Sequence, residues 1–207
     1  MRTLVSCLAL IAVLTGCGPE TADEGREQSP QFTIVASHLG PERVFSDLGV
    51  RLKPPVDWEP VGSEVLARAV QQAPDGAETD GPVVTVVPAA AFIDPGTGNS
   101  LIVSRIRTTD SADEQDPRPP KDDELSAYTS ELARALDGDG VSTASYGLNG
   151  LSVFQIRTSN EQTLTFILMI TDDQGRTVQL DYILPLPTEE AELRRIQSSI
   201  GTVRPVG

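Results

Sequence analysis

Few side chains in this 207-residue chain could run covalent or acid–base chemistry. There is one histidine, His38, and there are two cysteines, Cys7 and Cys17, against thirty acidic residues. A Ser-His-Asp relay needs an imidazole held between a nucleophile and an acid. His38 stands between Ser37 and Leu39, and no Gly-x-Ser-x-Gly elbow occurs anywhere in the chain. A surface or strand-edge imidazole is the expected role for it. Asp137-Gly138-Asp139-Gly140 and Asp172-Asp173 offer oxygen ligands to calcium. Neither has the spaced ligands and closing Glu of an EF-hand loop, and helix-end and hairpin-turn chemistry accounts for both. Asp94-Pro95-Gly96-Thr97-Gly98-Asn99 has turn composition and no phosphate-loop spacing. A glycosidase needs two placed carboxylates, but thirty acids make some such pair unavoidable. Trp58, just after Pro55 at a strand end, is a weak candidate for lining a ligand groove; capping the core between sheet and helix is its commoner use. These residues point away from an enzyme and name no cofactor and no metal.

The first seventeen residues are more specific. Arg2 supplies a short positive region, and Leu4 to Leu14 form an apolar run about half as long as the ~20 residues a spanning helix needs. The run ends in Leu14-Thr15-Gly16-Cys17, which resembles the lipobox of the bacterial lipoprotein signal. Small residues at Thr15 and Gly16 let a membrane peptidase reach the bond before Cys17, whose thiol carries a diacylglyceryl thioether. Two or three acyl chains (diacylglyceryl plus an amide-linked fatty acid such as palmitate) satisfy the rule that stable anchoring takes more than one. Residues 1–16 are thus expected to be a signal peptide, with Cys17 lipidated. Cleavage removes Arg2 and Cys7 and no acid, leaving no disulfide partner for Cys17.

Residues 17–30 then read as an acidic, Pro- and Gly-bounded tether that cannot bury apolar surface. Residue 18 is Gly rather than the Asp that retains enterobacterial lipoproteins at the inner membrane, so the resemblance favours the outer membrane if the organism has two. The formal charge of −14 argues against nucleic acid, since phosphate binding needs clustered Lys and Arg. It favours a basic protein partner and opposes anionic lipid headgroups.

A single domain is expected over residues 31–207. Val50-Arg51-Leu52 alternates and stops at Pro54-Pro55. Ser63 caps a helix whose face is Val65, Leu66, Ala69 and Val70, closed by Pro74-Asp75-Gly76 and an acidic loop to Asp80. Val83–Val87 and Leu101–Arg107 form a hairpin, and Thr108 to Lys121 reads as a surface loop. Asp122-Asp123-Glu124 opens a helix with Leu125, Tyr128, Leu132 and Leu136 on one face, stopped at Asp137-Gly138. Four segments, 141–146, 151–157, 163–170 and 177–184, are joined by links short enough to make neighbours antiparallel. Phe166 to Ile170 is apolar on both faces and is expected in a central strand. Thr188 caps a last helix with Leu193, Ile196 and Ile200 inward, ended by Gly201 and Pro205. The class is α+β, with a central antiparallel sheet flanked by helices.

The order of several short cues has a further implication. Gly49-Val50-Arg51-Leu52-Lys53-Pro54-Pro55-Val56-Asp57-Trp58 is followed by a helix, by Gly150 opening an apolar strand, by Tyr182 in the penultimate element, and by Ile196-Gln197-Ser198-Ser199-Ile200 in the closing helix. Over about residues 44–204 the chain resembles the PsbP-like superfamily, which includes PsbP, the Ran-binding Mog proteins, LpqN and DcrB-type lipoproteins. That resemblance implies an α/β/α sandwich and a mostly non-enzymatic role in binding or stabilising assemblies, often at a membrane. It brings no site residues, and the metal-linked role of the photosynthetic member does not transfer because its ligands are unmatched.

The expectation is therefore a non-enzymatic binding or assembly module of the cell envelope. It is anchored to a bacterial membrane by lipid on Cys17, faces the periplasm or the exterior, and works with an envelope protein as partner and no nucleic acid. The alternative is a small-ligand-binding lipoprotein with a pocket between sheet and helices near Trp58.

Overall fold

The alternation that begins at Val83 becomes one long antiparallel sheet. A computed structural model describes residues 30–71, 83–109, 118–136 and 140–207, with only the backbone of residues 68–71. The expected leader, Cys17, most of the tether, the Pro74–Asp80 segment and the Asp137–Asp139 helix stop lie outside the described residues.

Strands β1 (Arg43–Phe45), β2 (Val50–Leu52) and β3 (Glu59–Pro60) precede helix α1 (Ser63–Gln71). Strands β4 (Val83–Ile93) and β5 (Ser100–Thr109) form the hairpin, followed by α2 (Asp122–Ala135). The meander β6 (Ser142–Leu148), β7 (Leu151–Ser159), β8 (Thr163–Thr171) and β9 (Thr177–Pro185) leads to α3 (Glu190–Gly201) and β10 (Arg204–Pro205). The main sheet runs β3-β4-β5-β9-β8-β7-β6, and a smaller one runs β1-β2-β10. All pairs are antiparallel. The molecule is therefore mixed α+β.

Alternation sorts the sheet into two faces. On one, Leu101, Val103, Leu180 and Tyr182 join a core with Val50 and Leu52 of the small sheet, Trp58, and Ile196 and Ile200 of α3. On the other, Ile106, Ile156, Ile167 and Met169 meet Leu125, Tyr128, Leu132 and Leu136 of α2. The helical stripe expected from Leu125 to Leu136 is thus the packed one.

Some local expectations are corrected. The strands are longer than the apolar runs, because the ladder is continued by backbone bonds whatever the side chain. Thr108 and Thr109, expected in a loop, belong to β5, and Thr108 exchanges both backbone bonds with Arg118 at 2.8 and 3.0 Å. Phe166 to Ile170 is interior, but the middle strand is β9. The last helix starts at Glu190 rather than after Thr188; the Thr188 hydroxyl bonds back to the Pro185 carbonyl at 2.8 Å instead of capping. Val65, expected inward, is 59% exposed. The small sheet was not anticipated, since β1 and β10 are two or three residues long and carry no periodicity. Pro88 is tolerated because β3 reaches only Phe92 and Ile93, leaving that part of β4 on an open edge with a bulge between Pro88 and Ala90.

Candidate functional site

Two depressions lie between sheet and helices. The first arises because β6 and β7 carry small residues opposite α2. Ser145, Gly147 and Ser152 leave a trough beside Ser126, Thr129 and Ser130, about 690 Å³ in volume and floored by Phe154 and Met169. Its hydroxyls are partly self-satisfied: Thr129 donates to the Ser126 carbonyl at 3.0 Å.

The second is on the opposite face, about 510 Å³, where β6, β7 and β8 pass under α3. Phe32, Tyr146 and Phe166 line it with Ile200, Gln155 and Gln197. The Phe32 and Tyr146 rings lie 5.9 Å apart, and the Arg157 guanidinium sits 5.8 Å from the Phe166 centroid. Tyr146 donates to Gln155 Oε1 at 2.8 Å, and burial pushes its phenol up to about 12, so it remains a neutral donor. Aromatic walls with a few amides are the composition of a small-ligand or side-chain-docking cleft. Sequence reasoning missed it: Phe32, Tyr146 and Phe166 come from three segments, and only tertiary packing brings them together.

The residues singled out from sequence fall elsewhere. Trp58 is 6% exposed, with its ring 6.4 Å from Tyr182 in the core, and lines neither cleft. His38 is half-buried at the end of a short 3-10 turn, and its Nδ1 is buried without a hydrogen-bond partner. Its backbone carbonyl accepts from Val56 at 2.9 Å. Asp94 organises the β4–β5 turn, accepting from the Gly96 N–H at 2.8 Å and the Thr97 hydroxyl at 2.9 Å. Burial works to raise the Asp172 carboxyl. Backbone and side-chain hydrogen bonds from Arg176, and one from the Gln174 N–H, outweigh it and leave the group lowered. Both Asp172 oxygens are thus committed to the β8–β9 turn. Among the described residues no cluster of three or more His, Cys, Asp and Glu gathers.

One unanticipated carboxylate stands out. Asp181, on the α2 side of β9, is paired across the ladder with Ile102 and Ile167. Burial raises it to about 6, against the pull of the Gln179 amide, which donates to both its oxygens at 2.8 and 2.9 Å. Tyr128 of α2 donates in turn to Gln179 Oε1 at 3.3 Å. Among the described residues no hydroxyl nucleophile bonds to this carboxylate, and the chain of bonds satisfies a buried polar group.

No family model matches the chain, and no curated protein does. Among solved structures it is similar to the solution structure of cyanobacterial PsbP (CyanoP) from Synechocystis sp. PCC 6803. The TM-score is 0.47 and the identity 12%, over 88% of this chain and 100% of that one.

Proposed function

We propose that the protein is a lipid-anchored, non-enzymatic binding or assembly module facing the periplasm or cell exterior, held by acyl chains on Cys17. The observation that carries this reading is that Pro30, the last residue of the expected tether, and Phe32, two residues on, themselves line the aromatic cleft. A cleft that adjoins the end of the expected tether suits docking to a basic envelope protein near the membrane. A PsbP-like α/β/α sandwich is part of the proposal. It is supported by the convergence of Val50, Leu52, Trp58, Tyr182, Ile196 and Ile200, all drawn from the quoted cues, in one core.

Two measurements test it. Cells fed an alkyne fatty acid should label the wild-type chain and leave Cys17→Ala unlabelled and released from membranes. A photo-crosslinker at Gln197 should capture one defined envelope protein, and Tyr146→Ala should abolish that capture. Labelling of Cys17→Ala, or capture indifferent to Tyr146, sinks the reading.

The second reading, a small-ligand-binding lipoprotein, is favoured by the cleft itself, which has the volume and aromatic lining of a ligand pocket. Native mass spectrometry of protein released gently from its own envelope should show an added small mass that Phe166→Ala removes. A bare mass in both refutes it.

A further inference from the structure

The geometry points to strand addition as the docking mode: an extended protein segment that alternates apolar and basic side chains pairs with the open edge of β6. This names the partner of the binding module proposed above and rests on that reading. Among the described residues β6 pairs with β7 alone and ends the main sheet. Such an edge is normally guarded by charge, Pro or a bulge. At the other end of the sheet β4 has both Pro88 and a bulge beside it. Strand β6 has no charged residue, no Pro and an unbroken register with β7.

The turn after β6 decides which backbone groups face outward. Asn149 and Gly150, with φ of 51° and 86°, form a two-residue hairpin turn closed by the Leu148–Leu151 pair. Antiparallel pairs alternate between bonded and unbonded along the ladder. Counting back from the bonded Leu148, the N–H and C=O groups of Thr143, Ser145 and Gly147 point away from β7. All three residues are exposed.

Two clefts decide what the added strand carries. Ala144 and Tyr146 border the aromatic cleft on the α3 face, and Ser145 and Gly147 border the trough on the α2 face. Both clefts therefore reach the same edge, from opposite faces of the sheet. A strand beside β6 sends alternate side chains to each face. Ala144, Ser145 and Gly147 are too small to bar their way. The rings and Ile200 on the α3 face call for an apolar side chain. On the α2 face the trough holds Asp122, which has no ion-pair partner among the described residues, and calls for a Lys or Arg. Backbone bonds supply affinity in this mode, and alternate pockets supply specificity. A second copy of β6 brings no basic side chain to the trough, so the occupant is a partner protein.

The test is fluorescence anisotropy of a short labelled peptide alternating Leu and Lys, titrated with the full chain in non-ionic detergent. The same residues arranged in two blocks are the control. The alternating peptide should bind with Kd below about 100 μM and the block peptide at least about tenfold more weakly. Ser145→Pro removes one outward N–H and leaves the β7 ladder whole, so it should weaken binding about tenfold, with Ser145→Ala within about twofold of wild type. A second measurement needs no variant: the peptide is N-methylated on the backbone nitrogens of its lysines, or on those of its leucines. One set of N–H groups faces β6 and the other faces solvent, so one methylated peptide should bind and the other should not. Equal binding of alternating and block peptides, or binding of both or neither methylated peptide, overturns strand addition. Capture through Gln197 that Ser145→Pro leaves intact also overturns it, and leaves the binding-module reading standing. Peptide binding only after residues 18–29 are deleted, or a dimer that Ser145→Pro dissociates, overturns it too, since the occupant is then the chain's own tether or a second copy.

Discussion

Tyr182 on the middle strand and Ser199 on the last helix share a fully buried hydrogen bond of 2.9 Å. Ser199 spends its proton on the Lys53 carbonyl at 2.8 Å, so Tyr182 is the donor in the pair. One relay thus ties β9, α3 and the end of β2 together. Lys53 closes it from the other side, its N–H bonding the Thr202 hydroxyl at 2.8 Å. Burial raises the Tyr182 phenol well above its ordinary range, which keeps the donor protonated.

Removing either partner should therefore be unequal in effect. Tyr182→Phe loses one bond and should destabilise by about 1–2 kcal/mol. Ser199→Ala strands a buried phenol and a carbonyl and should destabilise by about 2–3 kcal/mol. Urea unfolding of both singles and the double variant gives the coupling; strict additivity would show that the bond contributes nothing.

Asp181 should make stability fall with pH. Its folded pKa, about 6, lies above the ordinary 3.8, so the folded state holds the proton more tightly. Stability from this group is full below about 4, declines between about 4 and about 6, and is lost above, by on the order of 3 kcal/mol. Asp181→Asn keeps the shape and removes the titration, so its advantage over wild type should appear at pH 7.5 and vanish near pH 4. An advantage equal at both pH values rules the mechanism out.

Gly49 is constrained twice, by φ of 74° and by the Arg176 guanidinium over it. Gly49→Ala should destabilise by about 1–2 kcal/mol, part from the left-handed backbone and part from displacing Arg176. A stable variant with unaltered Arg176 side-chain NMR signals would refute the contact.

Gly201 ends α3 where the entering chain crosses it. A Cβ there would lie 2.8 Å from Phe32 Cβ and 3.1 Å from Ile34 Cγ1. Gly201→Ala should gain up to about 1 kcal/mol in helix propensity yet push the entry segment away. The expected result is a global stability within about 1 kcal/mol of wild type, with chymotrypsin cutting at Phe32 several times faster. Unchanged cleavage would mean that the segment accommodates the methyl.

How much was legible in the sequence depends on how local the cause is. The α2 stripe, the hairpin, the meander and the turn at Asp94 follow from periodicity and from side chains that bond their own neighbours, so they could be read directly. The Leu14–Cys17 pattern is likewise chemistry written in consecutive residues, and it alone suggests the anchor. Val65 misled because amphipathic spacing says which residues share a face, not whether that face is covered.

The clefts belong to the other kind of information. Phe32, Tyr146 and Phe166 are far apart in the chain, as are Asp122 and Gly147. They meet because strand register and the crossing of the entry segment over α3 put them together. The small sheet depends on hydrogen bonds to Thr202 and Ser199 that no short segment encodes by itself. The sequence by itself determined class, elements and the expected anchor, because these rest on local spacing and composition. Only the tertiary structure decided which hydroxyls and aromatics share a surface, because long-range register and burial are properties of the packed chain.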